Sequence, residues 1–74
     1  MINPYRNDTD RDFHVEDSYT LILLRPMTPS AREWIGEHIS ADAMKFGDAV
    51  VVEHRFVGDL LIGIQDDGLT FAVL

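Results

Sequence analysis

The sequence predicts a small single α+β domain in which two helices cover one face of a short sheet, in the order β-β-α-β-α-β. Two apolar runs, residues 20–24 and 49–52, are rich in the branched side chains typical of buried strands. Between them, Thr28 and Pro29 open a segment with apolar residues at helical spacing. A second apolar stripe at helical spacing follows the later run and ends before Gly68.

The first two strands are predicted to form a hairpin. Phe13 and Val15 alternate with polar residues, which is the period of a half-buried strand. A turn-like segment separates them from residues 20–24, which are apolar at every position from Leu21 onward. We therefore expect the second strand in the centre of the sheet. Pro26 should end it, because proline cannot donate a hydrogen bond to a central ladder.

The first helix is predicted over residues 29–39, with Thr28 as N-cap and Pro29 at the first helical position. Its inner face would consist of Ala31, Trp34, Ile35, His38 and Ile39, with the single tryptophan as a core anchor. In the segment that follows, Met44 and Phe46 are expected to close one end of the core. The connection to residues 49–52 is long enough for a crossover, so these residues and residues 21–24 are expected to be parallel strands.

Residues 48–68 allow two interpretations. On a helix, Val57, Leu60, Leu61 and Ile64 form one apolar stripe at i, i+3, i+4 and i+7. On strands, Phe56, Leu60, Ile62 and Ile64 alternate around a Gly58-Asp59 turn, which would give one helix and an antiparallel meander. The alternation is broken at Leu61, so we favour a helix over residues 55–66. Residues 70–74 would then form a last edge strand.

Length and composition exclude several classes of protein. A chain of 74 residues forms one domain that buries roughly 60% of its unfolded surface. We expect residues 1–12 to be a mobile polar arm and residues 13–74 to be the domain. The chain has no cysteine, and no apolar run approaches the roughly 20 residues of a membrane span. The N-terminus lacks the order of a signal peptide, so we expect a cytoplasmic protein without membrane contact.

Charge is the outlier of the composition. Asp and Glu number 13 against 6 Lys and Arg, for a formal net charge of −7. Phosphate binding needs a basic footprint, so this balance disfavours nucleic acid as a direct ligand. The excess either keeps the protein soluble or attracts a host or phage protein with a basic surface. The acidic residues expected to contact such a partner are Asp8, Asp10, Asp12, Glu33, Glu37, Asp66 and Asp67.

No constellation for catalysis or metal binding stands out. The glycines do not form a phosphate loop, and the three histidines lie on separate segments without the i, i+4 spacing of a metal pair. The Asp8-x-Asp10-x-Asp12 spacing lacks the glycine and downstream glutamate of an EF-hand. We therefore expect no catalytic residue, no metal and no cofactor.

An alternative polar site would consist of Arg25, Glu53, His54 and Arg55 at the ends of two neighbouring strands. Ligands of open α/β sheets bind at the carboxyl ends of parallel strands, which is the argument for this site. We favour a structural interpretation, in which these polar residues form ion pairs where the strand ends, because structural ion-pair networks are easily mistaken for functional clusters.

The segments LLRPMTPSAREWI, FGDAVVVEHRFVGDLL and DDGL resemble a group of small uncharacterised proteins of bacteria and their phages or prophages. Those proteins are similar in having Leu-Leu-Arg-Pro-x-Thr-Pro, a tryptophan in the next helix, Val-Val-Glu-x-Arg and Asp-Gly-Leu. The resemblance covers about residues 13–70 and supplies no active site to transfer. It implies a helix over residues 55–66, because the related chains have helix-forming residues at the positions of Gly58 and Gly63.

Taken together, these patterns favour a non-enzymatic, acidic protein-binding module. Its size, charge and resemblance make it similar to phage-type inhibitors of the anti-CRISPR kind, which would occupy a basic, nucleic-acid-binding surface of a host complex. One alternative is a ligand-binding or catalytic domain centred on the polar site. Another is an assembly subunit that forms homodimers through the uncovered sheet face or the last edge strand.

Overall fold

The computed structural model of the protein describes residues 11–74 as a five-stranded mixed sheet with two helices on one face. The strands are β1 (Phe13–Ser18), β2 (Leu21–Pro26), β3 (Lys45–Phe46), β4 (Ala49–Glu53) and β5 (Phe71–Val73). The helices are α1 (Pro29–His38) and α2 (His54–Asp66). The strand order across the sheet is β3-β4-β2-β1-β5. The predicted α+β class is confirmed, with the short strand β3 added before β4.

The central hairpin follows the sequence pattern. β1 and β2 are antiparallel, and a two-residue turn at Tyr19 and Thr20 joins them. β2 lies in the middle of the sheet, as its unbroken apolar run predicts. β5 pairs with β1 in parallel and forms one edge, which confirms the expected last strand. Neither helix within residues 11–74 has the length and apolar character needed to cross a membrane.

The expectation that β2 and β4 are parallel is wrong. The two strands are antiparallel, with Leu21 opposite Glu53 and Leu24 opposite Val50. After α1 the chain does not enter β4 directly but returns along the sheet as β3. Gly47, with a φ of 65°, then allows the tight turn that pairs Phe46 with Ala49. β4 therefore begins at the end of the sheet where β2 finishes.

The first helix begins as the sequence predicts. The Oγ1 of Thr28 accepts a hydrogen bond from the Ala31 amide at 3.1 Å, and Pro29 occupies the first turn, where it has no donor to lose. The same hydroxyl donates to Oδ1 of Asp12 at 2.7 Å. A backbone hydrogen bond links the same two segments, since the Met27 amide donates to the carbonyl of Asp12 at 2.7 Å. Residues 1–10 of the predicted arm lie outside the described residues.

The disputed stretch is helical. Ile64 of α2 is fully buried, and the rest of the predicted stripe, Val57, Leu60 and Leu61, packs against the core. Gly68 ends the helix with a φ of 81°. The Leu69 amide donates to the Ile64 carbonyl and the Gly68 amide to the Gln65 carbonyl, each at 3.0 Å. These two bonds form a Schellman motif, so the predicted glycine stop is confirmed in its hydrogen bonding.

The core lies between the helices and the inner face of the sheet. Phe13, Leu24, Val50 and Ile64 are its largest fully buried side chains. Trp34 is 4% exposed and meets Phe13 edge to face, with ring centroids 5.8 Å apart. The opposite sheet face carries no helix, so its side chains remain accessible within the described part of the chain.

Candidate protein-binding surfaces

The helical side of the domain has an open acidic cleft of about 400 Å³. It is lined by Ser30, Glu33, Trp34, Glu37, His38, Asp67 and Leu69, and we call this set the acidic cleft. Glu33 and Glu37 are four residues apart on α1, which places both on one face of the helix. Asp67 follows the last residue of α2, so the cleft forms where the end of one helix meets the side of the other.

A hydrogen-bonded cluster fixes Asp67 in the cleft. The indole Nε1–H of Trp34 donates to Oδ2 of Asp67 at 2.7 Å, and Nε2 of His38 lies 3.4 Å from the same oxygen. The His38 ring stacks on Trp34 with centroids 4.3 Å apart. Nδ1 of His38 lies 3.0 Å from the Trp34 carbonyl; because a carbonyl only accepts, Nδ1 carries the hydrogen. Asp67 thus holds the end of α2 against α1.

The other carboxylates around the cleft point to solvent. Glu33 and Glu37 are exposed on α1, and Asp66 is exposed at the end of α2. The ion pairs formed among residues 11–74 involve none of these three. The neighbouring cation on α1, Arg32, lines a different cleft together with Lys45. The acidic cleft therefore concentrates negative charge that the described part of the protein does not neutralise.

Asp12 stands apart from the other acidic candidates. Its Oδ2 accepts hydrogen bonds from the Thr70 amide at 3.0 Å and the Thr70 hydroxyl at 3.3 Å, in addition to the Thr28 bond to Oδ1. Partial burial raises the pKa of Asp12, but these hydrogen bonds outweigh it and hold the pKa below its ordinary value. Asp12 therefore ties β1 to α1 and β5. Asp8 and Asp10 lie outside the described residues.

The structure does not bring the alternative polar site together. Because β2 and β4 are antiparallel, Arg25 lies at the opposite end of β4 from Glu53, His54 and Arg55. Arg25 forms an ion pair with Asp48 at 2.7 Å, whereas Arg55 reaches Glu53 at 3.5 Å. The premise of two parallel strand ends is wrong.

His54 has its own local partners at the turn between β1 and β2. Its Nδ1–H donates to the Thr20 carbonyl at 2.9 Å, and its Nε2 lies 3.2 Å from Oδ1 of Asp17. The imidazole thus fastens the start of α2 to the hairpin turn. These local contacts at the end of β4 agree with the favoured interpretation of the cluster as polar residues held by ion pairs where a strand ends.

The uncovered side of the sheet, which the sequence offers as a possible homodimer surface, has an apolar cleft. We call this side of the sheet the outer face. Its cleft has a volume of about 250 Å³. The cleft is lined by Leu21, Leu23, Val51, Met44 and Phe46, with Ser18 and Lys45 at its margin. The expectation that Met44 and Phe46 close the core is wrong, because these side chains are 69% and 68% exposed. The Gly47-Asp48 dipeptide was the signal for β3, because Gly-Asp between apolar residues is typical of two-residue hairpins.

The described residues offer no group of three or more histidines and carboxylates placed to hold a metal ion. Comparisons of the chain with protein-family models, with curated proteins and with solved structures give no match.

Proposed function

We propose that the protein is a non-enzymatic binding module whose acidic cleft contacts a basic surface of another protein. The observation that carries this proposal is the exposure of Glu33, Glu37 and Asp66 near Asp67, with no Lys or Arg paired to any of these four among residues 11–74. Three of the four residues line one cleft: Glu33 and Glu37 come from α1, and Asp67 directly follows α2. Four of the seven acidic residues expected from the sequence to contact a partner thus occupy one region.

Physical chemistry favours a cationic partner at this position. Like charges four residues apart on a helix repel each other, so Glu33 and Glu37 raise the free energy of the isolated domain slightly. A partner lysine or arginine removes this repulsion on binding. Exposed ion pairs contribute only about 0.2–1 kcal/mol each, so several must act together, and the affinity should fall as salt rises. Charge complementarity of this kind also accelerates association.

We further propose that the partner surface is one that normally binds nucleic acid, and that the protein acts in the cytoplasm as an inhibitor of phage type. Carboxylates exposed in a group present the same sign of charge as a run of phosphates, which supports competition for one basic site. The resemblance to phage and prophage proteins agrees with this role and stays a prediction.

Capture from a bacterial lysate tests the proposal. The immobilised protein is compared with Glu33→Gln/Glu37→Gln and with a control, Glu16→Gln/Glu53→Gln, which removes the same charge from the outer face of the sheet. At about 0.1 M salt, where the Debye length is about 10 Å, we expect the protein and the control to retain the same basic proteins. The Glu33→Gln/Glu37→Gln variant should retain much less of them.

Two further treatments distinguish the inhibitor from an ordinary acidic binder. At about 1 M salt the Debye length falls to about 3 Å, and the captured proteins should be released. Excess duplex DNA should release them at low salt as well, since it competes for the same basic surface. Equal capture by both double variants would contradict the role of the acidic cleft, and release by salt but not by DNA would contradict competition with nucleic acid.

A further inference from the structure

The outer face differs in charge from the rest of the molecule. Three cations, Arg25, Lys45 and Arg55, and three carboxylates, Glu16, Asp48 and Glu53, lie on it or at its margin. Residues 11–74 have 5 cations and 11 carboxylates, so two cations and eight carboxylates of this described part lie elsewhere. The net charge of −6 carried by residues 11–74 therefore comes entirely from outside the outer face. Two outer faces can therefore approach each other without the repulsion that the net negative charge of the rest of the molecule would cause.

Arg25 and Glu53 lie at opposite ends of the outer face, and each has an oppositely charged neighbour in its own copy: Asp48 lies 2.7 Å from Arg25, and Arg55 lies 3.5 Å from Glu53. Leu23 and Val51 are opposite each other at the centre of the face. Arg25 lies two residues beyond Leu23, whereas Glu53 lies two residues beyond Val51 in the antiparallel strand, toward the other end. At about 3.3 Å per residue these ends are roughly 13 Å apart, so the two charges cannot meet within one copy.

We propose that the outer face binds a second copy of the chain about a two-fold axis that lies in the interface and crosses the strands at the Leu23–Val51 pair. This rotation reverses the strand direction, so the Arg25 end of each copy meets the Glu53 end of its partner. The contact forms twice, as an isologous interface requires. The guanidinium of Arg25 keeps its Asp48 contact, because five N–H donors allow it to bind two carboxylates.

The same axis matches apolar groups with apolar groups. The Val51 amide donates to the Met44 carbonyl at 2.9 Å, which places Met44 level with the centre of the face. Leu23, Val51 and Met44 would each approach their own symmetry mates, and the exposed Met44 side chain would be covered. The dimer would therefore bury an apolar cleft that neither helix reaches.

The size of the face sets the expected strength. Four strands about 4.8 Å apart and five residues of about 3.3 Å give a contact roughly 19 Å by 17 Å. Two such surfaces cover roughly 650 Å² in total, which is below the roughly 1,200 Å² of standard specific interfaces and in the range of weak, transient contacts. We therefore expect a weak dimer that dissociates in the high micromolar range, on the order of 100 µM. It uses the side of the sheet opposite the helices and does not depend on the proposed function.

One contact in this arrangement is unfavourable and therefore diagnostic. Glu16 pairs with Leu23 across β1 and β2, so it too lies level with the axis and faces the Glu16 of the second copy. Arg25 reaches Glu16 only at 4.0 Å. Glu16→Gln should accordingly tighten the dimer several-fold, whereas a contact through other surfaces would not respond to this change.

Sedimentation equilibrium of the full chain over low to high micromolar concentrations tests the proposal. We expect a reversible monomer–dimer equilibrium that Leu23→Glu shifts at least tenfold toward monomer. Ile62→Glu is the matched control, because Ile62 is an exposed apolar residue of α2 on the helical side. Circular dichroism first shows that each variant is folded. A monomer at every concentration, or equal effects of the two substitutions, would overturn the proposal.

A charge exchange between two chains tests the axis itself. Arg25→Glu and Glu53→Arg should each weaken their own homodimer, because each places two like charges at both contacts. An equal mixture of the two variants should form a heterodimer about as tight as the original dimer, since both contacts are again between opposite charges. A mixture that stays as weak as its components would overturn the two-fold arrangement.

Discussion

Replacing Gly58 and Gly63 of α2 by alanine should stabilise the protein. Both glycines lie inside the helix, where alanine is favoured by roughly 1 kcal/mol because it loses less backbone entropy on folding. A Cβ at Gly58 would have no neighbour within 4 Å, and one at Gly63 would lie 3.5 Å from Cζ2 of Trp34, an ordinary van der Waals contact. The double variant should therefore gain about 2 kcal/mol.

Thermal and urea unfolding measure this gain. For a domain of this size 1 kcal/mol corresponds to about 4–8 °C, so the double variant should melt roughly 8–16 °C higher. Gly47→Ala and Gly68→Ala are the matched controls, since their φ values of 65° and 81° are disfavoured for alanine. Each should cost about 1–2 kcal/mol.

The result that would refute this reasoning is specific. If residues 56–64 formed a hairpin around Gly58-Asp59, alanine at position 58 would strain a turn that needs a positive φ. A Gly58→Ala variant that loses as much stability as Gly68→Ala would therefore contradict the helix and, with it, the position of the acidic cleft.

Three further predictions concern local contacts. Asp12→Ala should lower the free energy of unfolding by about 1–3 kcal/mol at neutral pH. Because the folded pKa of Asp12 is below its ordinary 3.8, the stabilisation from the Asp12 carboxylate is present above that pH and disappears as the pH falls through the folded pKa. A difference between the two proteins in urea unfolding that stays constant with pH would contradict this prediction. Asp67→Ala should cost about 1–3 kcal/mol and shift the indole N–H resonance of Trp34, and an unchanged resonance would exclude the 2.7 Å hydrogen bond. Tyr19→Gly should raise stability by about 1 kcal/mol, because Tyr19 has a φ of 63° and is 96% exposed, whereas a loss on thermal unfolding would show that its ring makes a stabilising contact.

Two Gly-Asp dipeptides show where the sequence was sufficient and where it was not. Gly58-Asp59 lies within an apolar stripe at helical spacing, and the packing of that stripe on the sheet outweighs the turn preference. Gly47-Asp48 has no such stripe around it and forms the hairpin between β3 and β4. The strength of the surrounding pattern therefore decided the local structure in both cases.

Strand direction could not be read from local pattern. The connection between β2 and β4 has the length of a crossover, but β3 adds a second traverse of the sheet within it. This single two-residue strand reverses β4 and separates Arg25 from Glu53. It also moves Phe46 from the expected core to the outer face. The error in one short element thus changed both the predicted core and the predicted polar site.

The acidic cleft was predictable in part. Glu33 and Glu37 share a helix face by spacing alone, and Asp66 follows from the predicted end of α2. Their approach to one another depends on how α2 packs across α1, which the Trp34–Asp67 hydrogen bond fixes in the folded state. The role of Asp12 depends likewise on a contact between residues 58 positions apart, which no local pattern specifies.

The most direct test of the proposed binding surface is an NMR titration of the ¹⁵N-labelled protein with an oligo-arginine peptide. The chain has one tryptophan, and its indole N–H lies in the acidic cleft, so this resonance reports on the cleft without assignment of the whole spectrum. We expect saturable shifts of the Trp34 indole and of the Glu33 and Glu37 amides, which weaken with salt and disappear in Glu33→Gln/Glu37→Gln. Shifts that survive in this variant, or that centre on Glu16 and Glu53, would contradict the account.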